Sequence, residues 1–181
     1  MISVNVFSNE KAWSKRLKKK ELFFNRICKA FPKKYKFFNR KVNFTVMLSN
    51  NKGWFLITAS AAGLLSQVGS ATYSTTKHAV VGFSEWLSIT YGEQGIGVSV
   101  LCPQGVNTPM TANMKDGGVA GINGMLEANE VAEFALDKML QGKFLITPHE
   151  IVNKYIKIKA DDPDKWIIGM RKLYNKFVSR N

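Results

Sequence analysis

Ser60, Tyr73 and Lys77 supply a hydroxyl, a phenol and an ammonium at a spacing that can build a proton-transfer site. Tyr73 and Lys77 are four residues apart, so on a helix they lie one turn apart on one face and their side chains can meet. A phenol is a poor proton donor or acceptor at neutral pH, with an ordinary pKa of about 10. A neighbouring ammonium favours the phenolate, and with Lys77 beside it Tyr73 becomes a candidate general acid or base. Ser60, thirteen residues before Tyr73, can hydrogen-bond a substrate oxygen and hold it towards the phenol. A Tyr-x-x-x-Lys pair alone says little, because most such pairs are surface residues. Its weight comes from the serine and from the elements on either side.

Those elements read as strand, turn, helix, strand. Residues 54–58 (WFLIT) are short, apolar and partly β-branched, the pattern of a buried strand. Residues 59–63 are small and leave that strand, which puts Ser60 just past its carboxyl end. From Tyr73 the pattern turns helical, with Ala79, Val80, Phe83, Leu87 and Tyr91 recurring at three- and four-residue steps. A second strand is expected over residues 98–103 (VSVLCP). In an open α/β sheet, ligands bind at the carboxyl ends of the strands, where this order of elements puts Ser60.

Residues from about 53 to 148 resemble the catalytic half of the short-chain dehydrogenase/reductase family. The matching motifs are Thr58-Ala-Ser60-Ala-Ala-Gly63, Tyr73-Ser-Thr-Thr-Lys77-His-Ala-Val-Val-Gly82 and Gly97-Val-Ser-Val-Leu-Cys-Pro103-Gln-Gly-Val106-Asn-Thr108-Pro-Met110. Glu130-Val-Ala132 and Phe144-Leu-Ile-Thr-Pro148 resemble the family's last helix and last strand. The fold this implies is α/β: a partial Rossmann-like, doubly wound parallel sheet, comprising the last three strands and their helices. The resemblance implies catalytic roles for Ser60, Tyr73 and Lys77. It implies hydride transfer between NAD or NADP and an alcohol or carbonyl carbon. Tyr73 would exchange the proton on oxygen, and Lys77 would also hold the nicotinamide ribose. Val106 and Thr108 fall where the family faces the nicotinamide. The family usually has Pro-Gly-x-Val-x-Thr in that loop, whereas Gln104 stands here in the glycine's place. If that backbone needs a positive φ, glutamine is mildly unfavourable, and Gly105 one place later offers relief.

The cofactor half of such a fold has no counterpart upstream. A dinucleotide site needs a first strand, a glycine-rich turn and a helix N-terminus for the pyrophosphate, yet residues 1–52 contain no glycine. The family's further catalytic asparagine has no match either, because Asn25, Asn39 and Asn43 lie in unlike contexts. The first fifty residues instead carry 13 Lys and Arg against 2 Glu, +11 of the chain's +13. Lys, Asn and Phe dominate this segment, and no strict apolar period runs through it. High charge argues against order, and the aromatics argue against a fully solvated chain. Three accounts remain for residues 1–50. They could be a basic nucleic-acid arm, with Lys on phosphates and aromatics on bases, although they match no known binding module. They could be a targeting peptide, although Lys-rich and without an apolar core. Or they are not an evolved domain but the product of a frameshift or mis-set start in an AT-rich gene, the account we favour. Residues 51–181 then form the partial dehydrogenase domain.

Size and composition set the remaining bounds. At 181 residues one domain is expected, and it is smaller than a complete member of the family. The strand at 54–58 would expose an edge that normally pairs, so poor solubility or self-association is expected. No apolar run approaches the roughly 18 residues of a membrane span. Cys28 and Cys102 have no metal or redox spacing, no metal site is expected, and a reducing, cytoplasmic setting follows. His78 and His149 earn no catalytic role. Residues 161–164 (DDPD) signal a helix start, followed by a stripe of Trp166, Ile167, Met170, Leu173, Tyr174 and Phe177 suited to core or oligomer packing. The resemblance implies a homo-oligomer through the Tyr73–Lys77 helix, to which Trp86 and Tyr91 could contribute. It also implies a small-molecule alcohol or carbonyl substrate, chosen in part by the glycine-bearing residues 111–124, either a mobile lid or an ordinary loop. Two functions therefore stand: an oxidoreductase of this family, or a truncated, non-catalytic remnant without cofactor binding that meets a partner or nucleic acid through its sheet edge or basic arm.

Overall fold

The computed structural model describes residues 3–7, 41–113 and 117–177. Four strands form the main sheet in the order β1 (Ser3–Phe7), β2 (Gly53–Thr58), β3 (Ile96–Leu101), β6 (Leu145–Ile146). β2, β3 and β6 are parallel, with Gly53 opposite Ile96 and Val100 opposite Leu145. A second, two-stranded sheet pairs β4 (Gly105–Asn107) with β5 (Met125–Glu127), also in parallel. The helices are α1 (Lys41–Ser49), α2 (Ala62–Leu65), α3 (Ala71–Tyr91), α4 (Ala128–Leu140), α5 (Glu150–Asp161) and α6 (Pro163–Phe177).

Alternation along β2 and β3 gives the sheet two apolar faces, each covered by a helix. On one face Ile57, Val98 and Val100 pack with Val80, Val81 and Leu87 of α3. On the other, Leu56, Leu101 and Ile146 pack with Val131, Ala135 and Met139, a four-residue stripe of α4. Ile57, Val100 and Val80 are essentially sealed from solvent, and each such side chain contributes about 1.5–3 kcal/mol. This helix–sheet–helix layering is the partial Rossmann-like arrangement expected from the strand and helix pattern. Every expected strand and helix of residues 53–148 is present, with ends shifted by one to three residues.

Three features depart from expectation. The edge of β2 is not open: β1 pairs with it along its whole length, antiparallel, with Ser3 opposite Thr58 and Phe7 opposite Trp54. The backbone donors and acceptors of β2 thereby find partners, and the exposed edge moves outward to β1. The segment expected to be irregular thus has a strand near its start and α1 near its end; residues 8–40 lie outside the described residues, and Asn25 and Asn39 with them. Asn43 falls on α1. That helix seats Met47 against Gly53, where an added Cβ would come within 2.0 Å of the Met47 side chain, and Phe44 between Phe55 and Tyr91.

The third departure is α6. It begins as expected, with the Asp162 carboxylate accepting the Lys165 N–H at 2.9 Å. That bond and the Lys165 side chain lower the Asp162 pKa. The apolar stripe packs on the body only in part. Trp166 tilts against Tyr155 of α5 and packs on the cluster of Ala61, Leu65 and Val152, Met170, Leu173 and Phe177 are half-buried, and Ile167 and Tyr174 are exposed. The helix follows α5 after a single residue. Among the described residues, no helix is long and apolar enough to cross a membrane.

Candidate active site

Ser60 lies two residues past the carboxyl end of β2 and is buried. The parallel pairing continues beyond the strands to hold it: the Ala59 N–H donates to the Leu101 carbonyl and the Ala61 N–H to the Pro103 carbonyl, both at 2.8 Å. The serine Oγ accepts the Ala62 N–H at 3.1 Å. Gly63 then lets α2 rest on α3, since a Cβ there would stand 2.6 Å from the Lys77 carbonyl oxygen. A side chain at residue 63 would push Ser60 and Lys77 apart.

Tyr73 and Lys77 sit in the first two turns of α3. Tyr73 is half-buried and Lys77 is buried, with its Nζ 5.5 Å from the centre of the Tyr73 ring. The four-residue spacing therefore does bring ammonium and phenol together. Burial pulls the Lys77 pKa below its ordinary value, because a low-dielectric surrounding penalises the charged form. Cys102, at the end of β3, lies close enough to feel both the Lys77 charge and the Ser60 backbone. Burial dominates there and pushes the thiol up to about 12. The thiol is neutral at physiological pH and brings no negative charge to Lys77. Cys102 is the small buried core residue expected, and it lies near both Ser60 and Lys77.

The connection from Ser60 to Tyr73 is held against α3 by Ser74, whose hydroxyl accepts the Gln67 N–H at 2.7 Å and reaches the Ser70 carbonyl at 3.0 Å. Within it Ser66 adopts φ 71°, a left-handed conformation that costs a non-glycine residue about 1–3 kcal/mol. His78 turns to its own helix, with Nδ1 2.9 Å from the Ser74 carbonyl, and takes no part in the site.

Val106 and Thr108 lie on and just after β4, both half-buried. The Thr111 hydroxyl donates to the Val106 carbonyl at 2.7 Å and accepts the Thr108 N–H at 3.1 Å. Gln104 is not among the positive-φ residues, so glutamine sits there without backbone strain. Gly105 is needed for space instead: a Cβ would come 2.6 Å from the Met125 sulfur and 2.8 Å from the Ala120 carbonyl.

Sequence reasoning missed His149. It is buried, and its Nδ1 accepts the Gln104 N–H at 3.3 Å. Among the described residues its Nε2 has no hydrogen-bond partner by geometry. The backbones of Gly105 and Gly124 favour the protonated ring, but burial outweighs them and lowers the His149 pKa. The available signal was its position directly after the last parallel strand, at the ligand end of the sheet. Among the described residues, no group of three His, Cys, Asp or Glu could hold a metal.

The residues present fit one end of a nicotinamide dinucleotide and not the other. Lys77 and Tyr73, ammonium near phenol, are groups that would hold a ribose, and Val106 and Thr108 stand on and just after β4. For the pyrophosphate, residues 1–52 offer no glycine, and β1 runs antiparallel to β2, opposite to the strand that feeds a phosphate turn in a doubly wound sheet.

A parallel α/β sheet with a buried serine at one strand end, and a tyrosine and lysine one helical turn apart, defines a partial Rossmann-like framework. Residues 37–118 match the short chain dehydrogenase family. The chain carries a partial short-chain dehydrogenase/reductase segment. It is similar to a putative ketoacyl reductase of Streptomyces coelicolor, 39% identical over 70 residues that make up 39% of this chain and 27% of that protein. A solved short-chain dehydrogenase from Burkholderia phymatum, in complex with NAD, is 26% identical, with a TM-score of 0.56 over 68% of this chain and 53% of that one. A different similarity covers 52 residues, 29% of this chain: they are 54% identical to the endoribonuclease YbeY of Pelagibacter ubique and make up 34% of that protein. The chain thus spans about a third or less of these curated relatives and about half of the solved dehydrogenase.

Proposed function

We propose that residues 53–149 are the catalytic half of an NAD(P)-dependent short-chain oxidoreductase that interconverts an alcohol and a carbonyl compound. The observation that carries this reading is the buried Lys77 beneath the Tyr73 ring, with Ser60 held at the adjoining strand end. Tyr73 exchanges a proton with the substrate oxygen as general acid or base. Ser60 hydrogen-bonds that oxygen and orients it. Lys77 favours the phenolate and holds the ribose hydroxyls, while Val106 and Thr108 lie along the nicotinamide. The cofactor, when bound, supplies or accepts the hydride. The exposed Trp86, stacked on Phe83 and edge-on to Tyr91, suits pairing of α3 with a second copy. The free, buried Cys102 suits a reducing cytoplasm.

Titration of the full chain with NADH and NADPH, read by cofactor and tryptophan fluorescence, tests the proposal. Saturable binding of either is the expected result. Absence of binding to both removes catalysis by this chain alone.

A second reading is favoured by one observation: the endoribonuclease similarity covers 52 residues, the length of the glycine-free start of the chain. We read those residues as that start. The chain is then a catalytic half joined to a piece of another protein, a remnant that binds no dinucleotide and whose remaining contacts run through its basic segment. The family match begins at residue 37, which puts the junction between 37 and 53. Long-read sequencing of the gene tests this reading. It expects an abrupt change of parentage in that interval, and a glycine-rich first strand–helix unit encoded in frame immediately upstream would defeat it.

A further inference from the structure

We propose that Gln104 is a positioning residue that fixes the loop at residues 117–124 beside the cofactor-facing loop; the cofactor-facing part of this rests on the oxidoreductase reading above. Its backbone and side chain are held from opposite directions. The Gln104 N–H donates to Nδ1 of His149, which is buried at the start of α5. The Gln104 Oε1 accepts the Asn123 Nδ2–H at 3.1 Å. Asn123 Oδ1 in turn accepts the hydroxyl of Tyr155, one turn further along α5, at 3.3 Å. One residue thus ties three separate parts of the chain: the end of β3, the 117–124 loop and α5.

Packing makes this tie tight. Gly105, next to Gln104, lies so close to Ala120, Gly121 and Met125 that no side chain fits there. Gly117, Gly118 and Gly124 have positive φ, so the loop follows a path that other residues disfavour, and its four glycines give it little intrinsic rigidity. Its conformation is therefore set by what holds it, and the Gln104–Asn123 bond is a direct side-chain anchor. Val106 and Thr108 follow Gln104 at two and four residues, and β4 pairs with β5 immediately after the loop. A shift at Gln104 therefore moves the cofactor-facing residues and the loop together. The glycine usual at this place in the family has no side chain to make the bond.

Hydrogen–deuterium exchange on the full chain tests the anchor without requiring turnover. Gln104→Gly should raise exchange of amides 117–124 about fivefold, the loss expected for one net hydrogen bond, and leave β3 and α3 unchanged. Gln104→Glu, which keeps an acceptor for Asn123, should retain the slow exchange. Asn123→Ala, on an exposed side chain, should raise exchange of the same amides at least as much with the Gln104 backbone intact, since it also loses the Tyr155 bond. No change at 117–124 in either truncating variant, an equal rise throughout the chain, or failure of the glutamate to protect would overturn the proposal. A chain that binds no dinucleotide yet shows the local rise keeps the anchor and loses only the oxidoreductase reading.

Discussion

The two halves of this chain are built on opposite terms. Residues 53–149 place small residues where backbones must touch, apolar residues on both faces of a parallel sheet, and chemically useful residues at strand ends. Residues 1–52 hold no glycine and +12 of the chain's +13 formal charge, and their one described strand pairs in the sense opposite to its neighbours. The proposed active site is made of separable parts: Ser60, Tyr73 and Lys77 come as a unit at the end of β2 and on α3, and among the described residues their packing does not call on the phosphate turn that would complete them.

The largest effect belongs to the proton-transfer unit. Tyr73→Phe should lower turnover by about 10²–10⁴-fold, the usual contribution of a positioned acid–base group, and spare NAD(P)H binding. Replacing Lys18, Lys19 and Lys20 together by alanine should change neither quantity. Steady-state rates and fluorescence titration check both. A loss of cofactor binding in the triple variant would show that the basic segment serves the site and would break the contrast between the halves.

A smaller effect is expected at Gly63. Alanine there meets the Lys77 backbone, and the resulting strain should cost about 1–3 kcal/mol, read as a lower denaturation midpoint. Unchanged stability would mean that α2 and α3 are not held as closely as the site requires.

The smallest effect is electrostatic. The native pKa of Lys77 lies below its ordinary 10.5 because of burial. Between those two values the unfolded chain binds more protons than the native one, so stability rises with pH across that window and is lost as pH falls through the native pKa. Lys77→Met should flatten this rise and stabilise the chain at neutral pH, while abolishing any turnover. Denaturant melts from neutrality to pH 10.5 measure it. A steeper rise in the variant would mean that Lys77 is stabilised in its charged form by its surroundings.

The site-bearing elements were legible because local pattern dictates them. The apolar run at 54–58, the three- and four-residue recurrence after Tyr73, and the run ending at Cys102 each announce their element without help from distant residues. β1 was not legible, because SVNVF is five residues set in a charged segment and is a strand only by virtue of the unpaired edge of β2. How deeply the α6 stripe packs also escaped the pattern: periodicity marks the apolar face, of which Trp166 meets the cluster of Ala61, Leu65 and Val152 while Ile167 and Tyr174 stay exposed. The contact between Gln104 and His149 spans 45 residues of sequence, and the motif that holds Gln104 does not extend to His149. Gln104 looked like a mild defect when judged by backbone preference alone, and the value of its side chain emerges only once Asn123 is beside it.

The direction of β1 has a practical consequence. Ser3 lies opposite Thr58 and Phe7 opposite Trp54, so the amino end of this strand, rather than its carboxyl end, is beside Ser60. A five-residue strand spans about 17 Å. A fluorophore attached ahead of Ser3 would thus act as a local reporter of ligands arriving at the serine, and one attached after Phe7 would serve as its internal control at the far end of the same strand.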